Sequence, residues 1–148
     1  MFYLDDFVGP SLFQWSDKSL SLANRIRSVL PDRYLVSPYH PGEKGVLLSR
    51  TLTRPNPDKL RKRDPSEAVQ SDLIIGCVKK YFPGVKITFT GGVVYSLGLE
   101  DVIHNVDEEN EYDRVILNLL MMMDELCTGN RDYESLYATA IAIKKKRY

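Results

Sequence analysis

The chain has 148 residues, of which 43% are hydrophobic and 27% are charged, and its 20 basic and 20 acidic side chains give zero net charge. This length is typical of one domain, so we expect residues 1–148 to form a single domain. The balanced charge argues against a nucleic-acid-binding protein that depends on a large positive field. Two cysteines, Cys77 and Cys127, are too few for a disulfide framework or a four-cysteine zinc site.

The sequence predicts neither a membrane span nor a secretory signal. The longest apolar run, from Val115 to Met123, is interrupted by Asn118 and is much shorter than the roughly 20 residues that a span needs. The first residues lack a basic region and include Asp5 and Asp6, which argues against a signal peptide. We therefore expect a cytoplasmic protein that has no membrane partner.

The chain begins with a predicted strand followed by a predicted helix. Aromatic and apolar side chains favour a strand from Met1 to Val8, and Gly9-Pro10 ends it. A nearly continuous apolar run of this kind suits a strand that is covered on both faces. Ser16 is a good N-cap, and the apolar spacing that follows predicts a helix from Asp17 to about Leu30.

Residues 31–64 are the least regular part, because their prolines break any long element. A connection of this length inside a compact domain is often a lid or a binding segment. We therefore predict an irregular, lid-like insertion over 31–64. Basic residues cluster near its end, but acidic neighbours favour a solvated surface over a nucleic-acid site. These basic residues are Arg54, Lys59, Arg61, Lys62 and Arg63.

The second half predicts alternating helices and strands. Asp64-Pro65-Ser66-Glu67 has the pattern of a capping box with proline at the first helical position, which predicts a helix to Phe82. Val85 to Thr90 alternates as a strand, and Gly91-Gly92 supplies the backbone angles of a turn. Val93 to Ile103 is either a helix or the return strand of a hairpin, and a rough helical stripe favours the helix.

The last predicted elements are a helix from Glu111 to about Leu126, with Gly129 as its C-cap, and a strand from Tyr137 to Ile143. The complete order of elements indicates an α/β fold. Met121 to Met123 are best explained by core packing, with a binding groove as the alternative. Both cysteines fall on apolar parts of helices, where a buried and inert thiol is expected.

Motifs for metal binding, phosphate binding and nucleophilic catalysis do not occur in the sequence. The two histidines, His40 and His104, stand alone. Asp5 and Asp6 end the first strand, and the carboxyl ends of strands are where ligands gather in open α/β sheets. Asp5 and Asp6 are therefore candidates for a role in ligand binding, with a structural role as the alternative. His104, which ends the segment after Gly91-Gly92, is a separate candidate for a substrate-facing role, again with a structural role as the alternative.

Several stretches resemble one group of bacterial S-adenosylmethionine-dependent methyltransferases. DDFVGPSLFQW (5–15), with the capped helix after it, resembles the segment that follows the fifth strand of that group. DPSEAVQSDLI (64–74) resembles a helix start of the group, and KYFPGVKITFTGGVVYSLGLEDVIHNV (80–106) resembles its sixth strand and following helix. YATAIAIKK (137–145) resembles its last, antiparallel strand.

The resemblance implies a partial Rossmann-like methyltransferase sheet, with equivalents of strands five to seven, flanking helices and the lid-like insertion. The first four strands and the glycine-rich cofactor loop of the group have no counterpart in this sequence. No cofactor-binding residue is therefore carried over, and S-adenosylmethionine is expected only if a partner half completes the fold. The residues that match regions lining the substrate side are Asp6, Phe7, Gln14, Trp15 and His104.

The expected function is that of a methyltransferase-like protein or fragment that is inactive alone. The alternative is a non-enzymatic α/β module for protein interaction. The first strand would normally pair with a fourth strand that is absent here, and an apolar edge of that kind is a template for another chain. The expected partner is therefore a second copy of this chain or a separate cofactor-binding half, paired through the first strand.

Overall fold

The computed structural model describes residues 1–40, 45–130 and 132–143. The α-helices are Asp17–Val29 (α1), Pro57–Arg63 (α2), Ile74–Tyr81 (α3) and Glu111–Gly129 (α4). The strands are Phe2–Phe7 (β1), Lys86–Gly91 (β2) and Tyr137–Ala142 (β3). Short 3-10 turns cover Ser11–Phe13, Asp32–Leu35, Ser71–Leu73 and Ile103–Asn105, and a π-helix covers Val93–Gly98. The fold is mixed α/β, as the sequence predicts.

The chain divides into two compact units. The first contains Met1–Trp15, Arg54–Gly91 and Glu134–Tyr148, and so includes all three strands with α2 and α3. The second contains Ser16–Thr53 and Gly92–Tyr133, and so includes α1 and α4. The single domain over 1–148 stays a prediction. In the lid-like segment 31–64, residues 41–44 lie outside the described residues.

The first unit contains an open, three-stranded antiparallel sheet in the order β1-β3-β2. Because β3 is antiparallel to both neighbours, β1 and β2 run parallel to each other. One edge of β1 pairs with β3, and its other edge pairs with no strand among the residues that the structure describes. The open edge of the first strand is therefore present, as predicted.

The two faces of this sheet differ in exposure. On one face, Phe2 stacks on Phe82 with ring centroids 4.0 Å apart, and Ala140 is fully buried. On the other face, Tyr3 and Asp5 are exposed, and the Tyr3 hydroxyl donates to the Asp5 carboxylate at 3.2 Å. The prediction that the first strand is covered on both faces is therefore wrong, because its polar groups pair with each other on an open face.

The helix α2 lies inside the segment that was expected to be irregular. The Asn56 side chain accepts from the N–H groups of Asp58 and Lys59, at 3.0 and 2.9 Å, and caps this helix. Pro57 takes the first helical turn, where its missing N–H group costs no hydrogen bond. The prediction that residues 31–64 are irregular is therefore wrong over Pro57–Arg63, because a helix tolerates proline in its first turn.

The helix predicted from Asp64 begins only at Ile74. The Asp64 carboxylate accepts from the N–H and the hydroxyl of Ser66, at 2.9 and 2.7 Å, and so closes a turn instead of a capping box. Ala68 has a φ of +51°, a left-handed conformation through which an α-helix does not continue. The capping-box prediction is therefore wrong.

Other local predictions are confirmed. Ser16 caps α1, with its hydroxyl oxygen accepting from the N–H of Ser19 at 3.1 Å. Gly91 and Gly92 have φ values of +82° and +116°, as a glycine turn requires. The last helix extends to Gly129, which is its final residue and not its cap. None of the helices in the described ranges has the length and apolar content that crossing a bilayer requires.

Candidate functional site

The first unit contains a cavity of about 640 Å³ at the carboxyl end of β1. Asp6 and Phe7 line it from β1, and Tyr137 lines it from the start of β3. Phe13, residues 66–71 and the beginning of α3 complete the wall. Its volume lies within the range of roughly 300–1,000 Å³ that is typical of sites for small molecules.

The aromatic rings of Phe7, Phe13 and Tyr137 form one wall of the cavity, and the ring of Trp15 packs against Phe7 without lining the cavity. The ring of Phe7 meets Phe13, Trp15 and Tyr137 edge-on, with centroids 5.1, 5.7 and 5.6 Å apart. Such contacts contribute about 0.5–1.5 kcal/mol each beyond the burial of area. Gly9 leaves room for this arrangement, because a Cβ atom there would lie 2.7 Å from the Phe7 ring.

The backbone around the cavity is strained. Leu12, Phe13 and Ala68 have φ values of +53°, +54° and +51°, in the left-handed region that costs a residue with a side chain about 1–2 kcal/mol. The N–H of Leu12 donates to the carbonyl of Ala68 at 2.7 Å, so the two strained segments are joined. Strain of this kind accumulates at binding and catalytic sites, which favours a ligand site here.

Gln14 and Trp15 support this turn instead of lining the cavity. The Gln14 side-chain amide donates to the carbonyls of Leu12 and Pro55, at 3.0 Å each. Trp15 is buried, and its carbonyl accepts from Nε of Arg54 at 2.6 Å. Both residues therefore position the strained turn that carries Phe13.

The cavity has a negative wall. Asp6 and Glu67 contribute carboxylates, and no Lys, Arg or His within the described residues lines it. One oxygen of Asp6 accepts from the N–H of Phe7 at 2.8 Å, and Glu67 accepts from the exposed Arg63 at 3.0 Å. Carboxylates beside aromatic rings suit a ligand with a positive charge and an apolar body.

Cys77 lines the same cavity and is exposed, so the prediction that it is buried is wrong. Its side chain lies on α3, in which Val78 is the buried residue. The other thiol, Cys127, is half-buried in the second unit, and its burial raises its pKa.

The structure brings together some of the predicted site residues and not others. Asp6 and Phe7 line the cavity, whereas Gln14 and Trp15 hold the turn beside it. His104 belongs to the second unit, where it is exposed on the turn Ile103–Asn105, and it does not line the cavity. Phe13 lies in the stretch 5–15 that carries the resemblance but was not among the predicted site residues, because its role depends on a left-handed backbone that no local pattern predicts.

The second unit has a buried carboxylate whose role is structural. Asp113 accepts from the Tyr34 hydroxyl at 2.6 Å and from the N–H of Asp107 at 3.0 Å, and it pairs with Arg33. The hydrogen bond from Asp107, and then that from Tyr34, hold the pKa of Asp113 below its usual value. This network ties the start of α4 to the turn Asp32–Leu35.

Within the described ranges, no group of three or more His, Cys, Asp or Glu side chains could bind a metal ion. Comparisons of the chain with protein-family models, curated proteins and solved structures give no match. The cavity of the first unit and the motifs of the sequence are therefore the features that bear on function.

Proposed function

We propose that the chain is the acceptor-binding part of an S-adenosylmethionine-dependent methyltransferase, with the methyl acceptor in the cavity of the first unit. The observation that carries this proposal is the position of the cavity at the carboxyl end of β1, just before the V-G-P-x-x-F-Q-W motif of residues 8–15. Open α/β sheets bind ligands at the carboxyl ends of their strands. The antiparallel direction of β3 agrees with the last strand that the resemblance implies.

The cofactor belongs to a partner half in this proposal. The residues of this chain do not fit S-adenosylmethionine, because no strand in the sequence is followed by a loop with the G-x-G-x-x-G spacing, and Gly91-Gly92 after β2 lacks it. A cofactor-binding half that pairs a strand with the open edge of β1 would extend the sheet through backbone hydrogen bonds. The chain alone is then inactive, and this chain's contribution is to bind and orient the acceptor.

The charge of the cavity favours an acceptor that carries an amine. An ammonium group is attracted by the carboxylates of Asp6 and Glu67 and by the faces of the neighbouring aromatic rings. An apolar body fits the remaining wall, which Leu73, Ile74 and Val78 help to form. Asp6 is also placed to take the proton that an ammonium group must lose before its nitrogen accepts a methyl group.

The test of the acceptor site is calorimetric titration with phenethylamine, 2-phenylethanol and phenylacetate. We expect the amine to bind best and the carboxylate worst, and Asp6→Asn to weaken amine binding about tenfold. Asp5→Asn is the matched control, because Asp5 is the neighbouring exposed carboxylate and does not line the cavity. A Cys127→Ser variant keeps Cys77 as its one thiol. In this variant, phenethylamine should also slow the alkylation of Cys77 by iodoacetamide, because Cys77 lines the cavity.

Absence of binding by all three compounds would contradict an acceptor site. Equal binding of all three would contradict only the amine preference. For the cofactor, we expect S-adenosylmethionine not to bind the chain alone and to bind after coexpression with a polypeptide that carries a glycine-rich strand-turn-helix. Tight binding by the chain alone would contradict the need for a partner half.

A non-enzymatic interaction module is the second candidate, because α4 carries an exposed apolar face. This alternative predicts that S-adenosylmethionine does not bind under either condition. It also predicts that Asp6→Asn leaves protein association unchanged, because Asp6 lines the cavity of the first unit.

A further inference from the structure

The rim of the cavity in the first unit has a positive group next to its negative wall. Arg63, the last residue of α2, donates from its guanidinium group to a carboxylate oxygen of Glu67 at 3.0 Å, and Glu67 lines the cavity. The side chains of Arg63 and Glu67 are 72% and 38% exposed, so both charged groups are accessible. A ligand that extends from the cavity past Glu67 therefore meets this guanidinium group.

Lys59 adds a second positive charge on the same side of α2. It stands four residues before Arg63, and residues at this spacing are neighbours on the surface of a helix. Both side chains are exposed, whereas Leu60 is buried and anchors the helix. We call Lys59 and Arg63 the α2 cation pair.

The acidic residues next to α2 leave most of this charge available. Asp58 pairs with Arg61 at 3.4 Å, and Asp64 accepts from the N–H and the hydroxyl of Ser66. Within the part of the chain that the structure describes, Glu67 is the one carboxylate that forms an ion pair with the α2 cation pair. Two cations therefore stand beside a cavity whose own wall is acidic.

We propose that the cavity and the α2 cation pair together bind an amine that carries a phosphate monoester at its other end. This inference rests on the proposed function, because the ammonium group of the acceptor occupies the same acidic wall. A phosphate monoester carries a charge of about −1.5 to −2 at pH 7, which two cations match better than one. Arginine binds phosphate oxygens through two N–H groups at once, and lysine adds a point charge.

Binding of this acceptor exchanges the partners of one ion pair. In the free chain, Arg63 and Glu67 neutralise each other. In the complex, Arg63 donates to the phosphate, and Glu67 is released to accept from the ammonium group together with Asp6. The exchange costs little, because an ion pair between exposed side chains is weak. Each charge of the ligand then has a partner of opposite sign.

Titration calorimetry with tyramine and O-phosphotyramine tests this inference, because the two amines share one aromatic body and differ by the phosphate. We expect O-phosphotyramine to bind about tenfold more tightly at low salt, and we expect added salt to reduce this difference. Phenyl phosphate, which has no amine, should bind more weakly than O-phosphotyramine. Equal binding of these two phosphates would overturn the proposal, because it would indicate a site for the anion alone.

Substitutions on α2 identify the groups that hold the phosphate. Lys59→Gln and Arg63→Gln should each remove most of the tenfold difference. Arg63→Gln should also strengthen the binding of tyramine, because Glu67 loses its competing partner, and a folding defect would not do this. Arg61→Gln is the matched control on the same helix, because Arg61 pairs with Asp58 and lies on the opposite side from Arg63.

The two amines separate this inference from the proposed function. If neither amine binds, both the acceptor site and this inference are contradicted. If tyramine binds and O-phosphotyramine binds no better, the acceptor site stands and the inference fails. An equal loss of the difference in Arg61→Gln and Arg63→Gln would also overturn it.

Discussion

The carboxylate of Asp124 accepts from the backbone N–H of Gly92 through both of its oxygens, at 3.1 and 2.9 Å. One oxygen also accepts from the N–H of Val94 at 2.7 Å. Asp124 is buried on α4, and Gly92 immediately precedes the π-helix Val93–Gly98. The first N–H groups of a helix have no partner within it, so this carboxylate satisfies donors that would otherwise be buried without one.

Replacing Asp124 should therefore be costly. Asp124→Ala leaves the N–H groups of Gly92 and Val94 without their acceptor, and we expect a loss of about 2–4 kcal/mol in the free energy of unfolding. Urea denaturation followed by circular dichroism measures this loss. Glu108→Ala, at an exposed site, is the control and should change the stability by less than about 0.5 kcal/mol. Equal stabilities of the two variants would contradict the capping role of Asp124.

Gly9 should control the shape of the cavity. In Gly9→Ala, the new methyl group would lie 2.7 Å from the Phe7 ring and 3.0 Å from Leu136, so the ring must move. Because Phe7 lines the cavity, we expect phenethylamine to bind more weakly to this variant. Calorimetric titration measures the change in affinity.

Gly76→Ala is the matched control for this substitution. Gly76 lies within α3, and nothing lies within 4 Å of the position of its added Cβ atom. This variant should raise the stability by about 0.5–1 kcal/mol, because alanine is a better helix former, and should leave the affinity unchanged. An unchanged affinity in Gly9→Ala as well would mean that the Phe7 ring does not shape the site.

Ala68→Gly should test the backbone strain beside the cavity. Ala68 has a φ of +51°, which glycine adopts without a Cβ penalty. Relief of about 1–2 kcal/mol of strain exceeds the roughly 0.5–1 kcal/mol that the entropy of glycine costs, so we expect a small gain in stability. Ala138→Gly, at a fully buried position of β3, should instead be destabilising. Thermal unfolding of both variants should therefore give melting temperatures that move in opposite directions.

Asp113 should make the second unit sensitive to acid. Because folding lowers the pKa of Asp113, its carboxylate contributes stability at pH values above its unfolded pKa. This contribution is lost as the pH falls below about 4 and through the lowered pKa. Asp113→Asn should lower the stability at pH 7 and reduce its dependence on pH in the acid range. Urea denaturation at pH 7 and pH 3 measures both effects. Glu108→Gln, at an exposed site, is the control. If the stability of Asp113→Asn depended on pH as strongly as that of Glu108→Gln, this assignment would be contradicted.

Local sequence signals were sufficient for the elements that depend on near neighbours. Ser16 caps α1 through Ser19, three residues along the chain, and Asn110 caps α4 in the same way. The first and last strands follow from short apolar runs, and the middle strand follows from the alternation of apolar and polar residues before Gly91-Gly92. Asp6 could be predicted as a site residue because the end of a strand is a local feature of the sequence, whereas Phe7 was indicated by the resemblance alone.

The wall of the cavity opposite β1 could not be predicted in this way. The sequence after Asp64 has a capping box, but Ala68 is left-handed and its carbonyl accepts from Leu12, which is far away in the sequence. Ser71 likewise donates to the carbonyl of Gly9 at 2.9 Å. These long-range hydrogen bonds offset the local preference for a helix, and a pattern of neighbouring residues does not contain them.

The sequence by itself determined the order of strands and helices along the chain and the acidic end of β1, because caps, turns and apolar periodicity act over a few residues. The open edge of β1 was expected from the resemblance alone. The tertiary structure alone decided that Phe13 and Cys77 join Asp6 at one cavity and that the methionine-rich face of α4 stays exposed. Burial and left-handed backbone depend on contacts between distant segments, and those contacts exist only once the chain has folded.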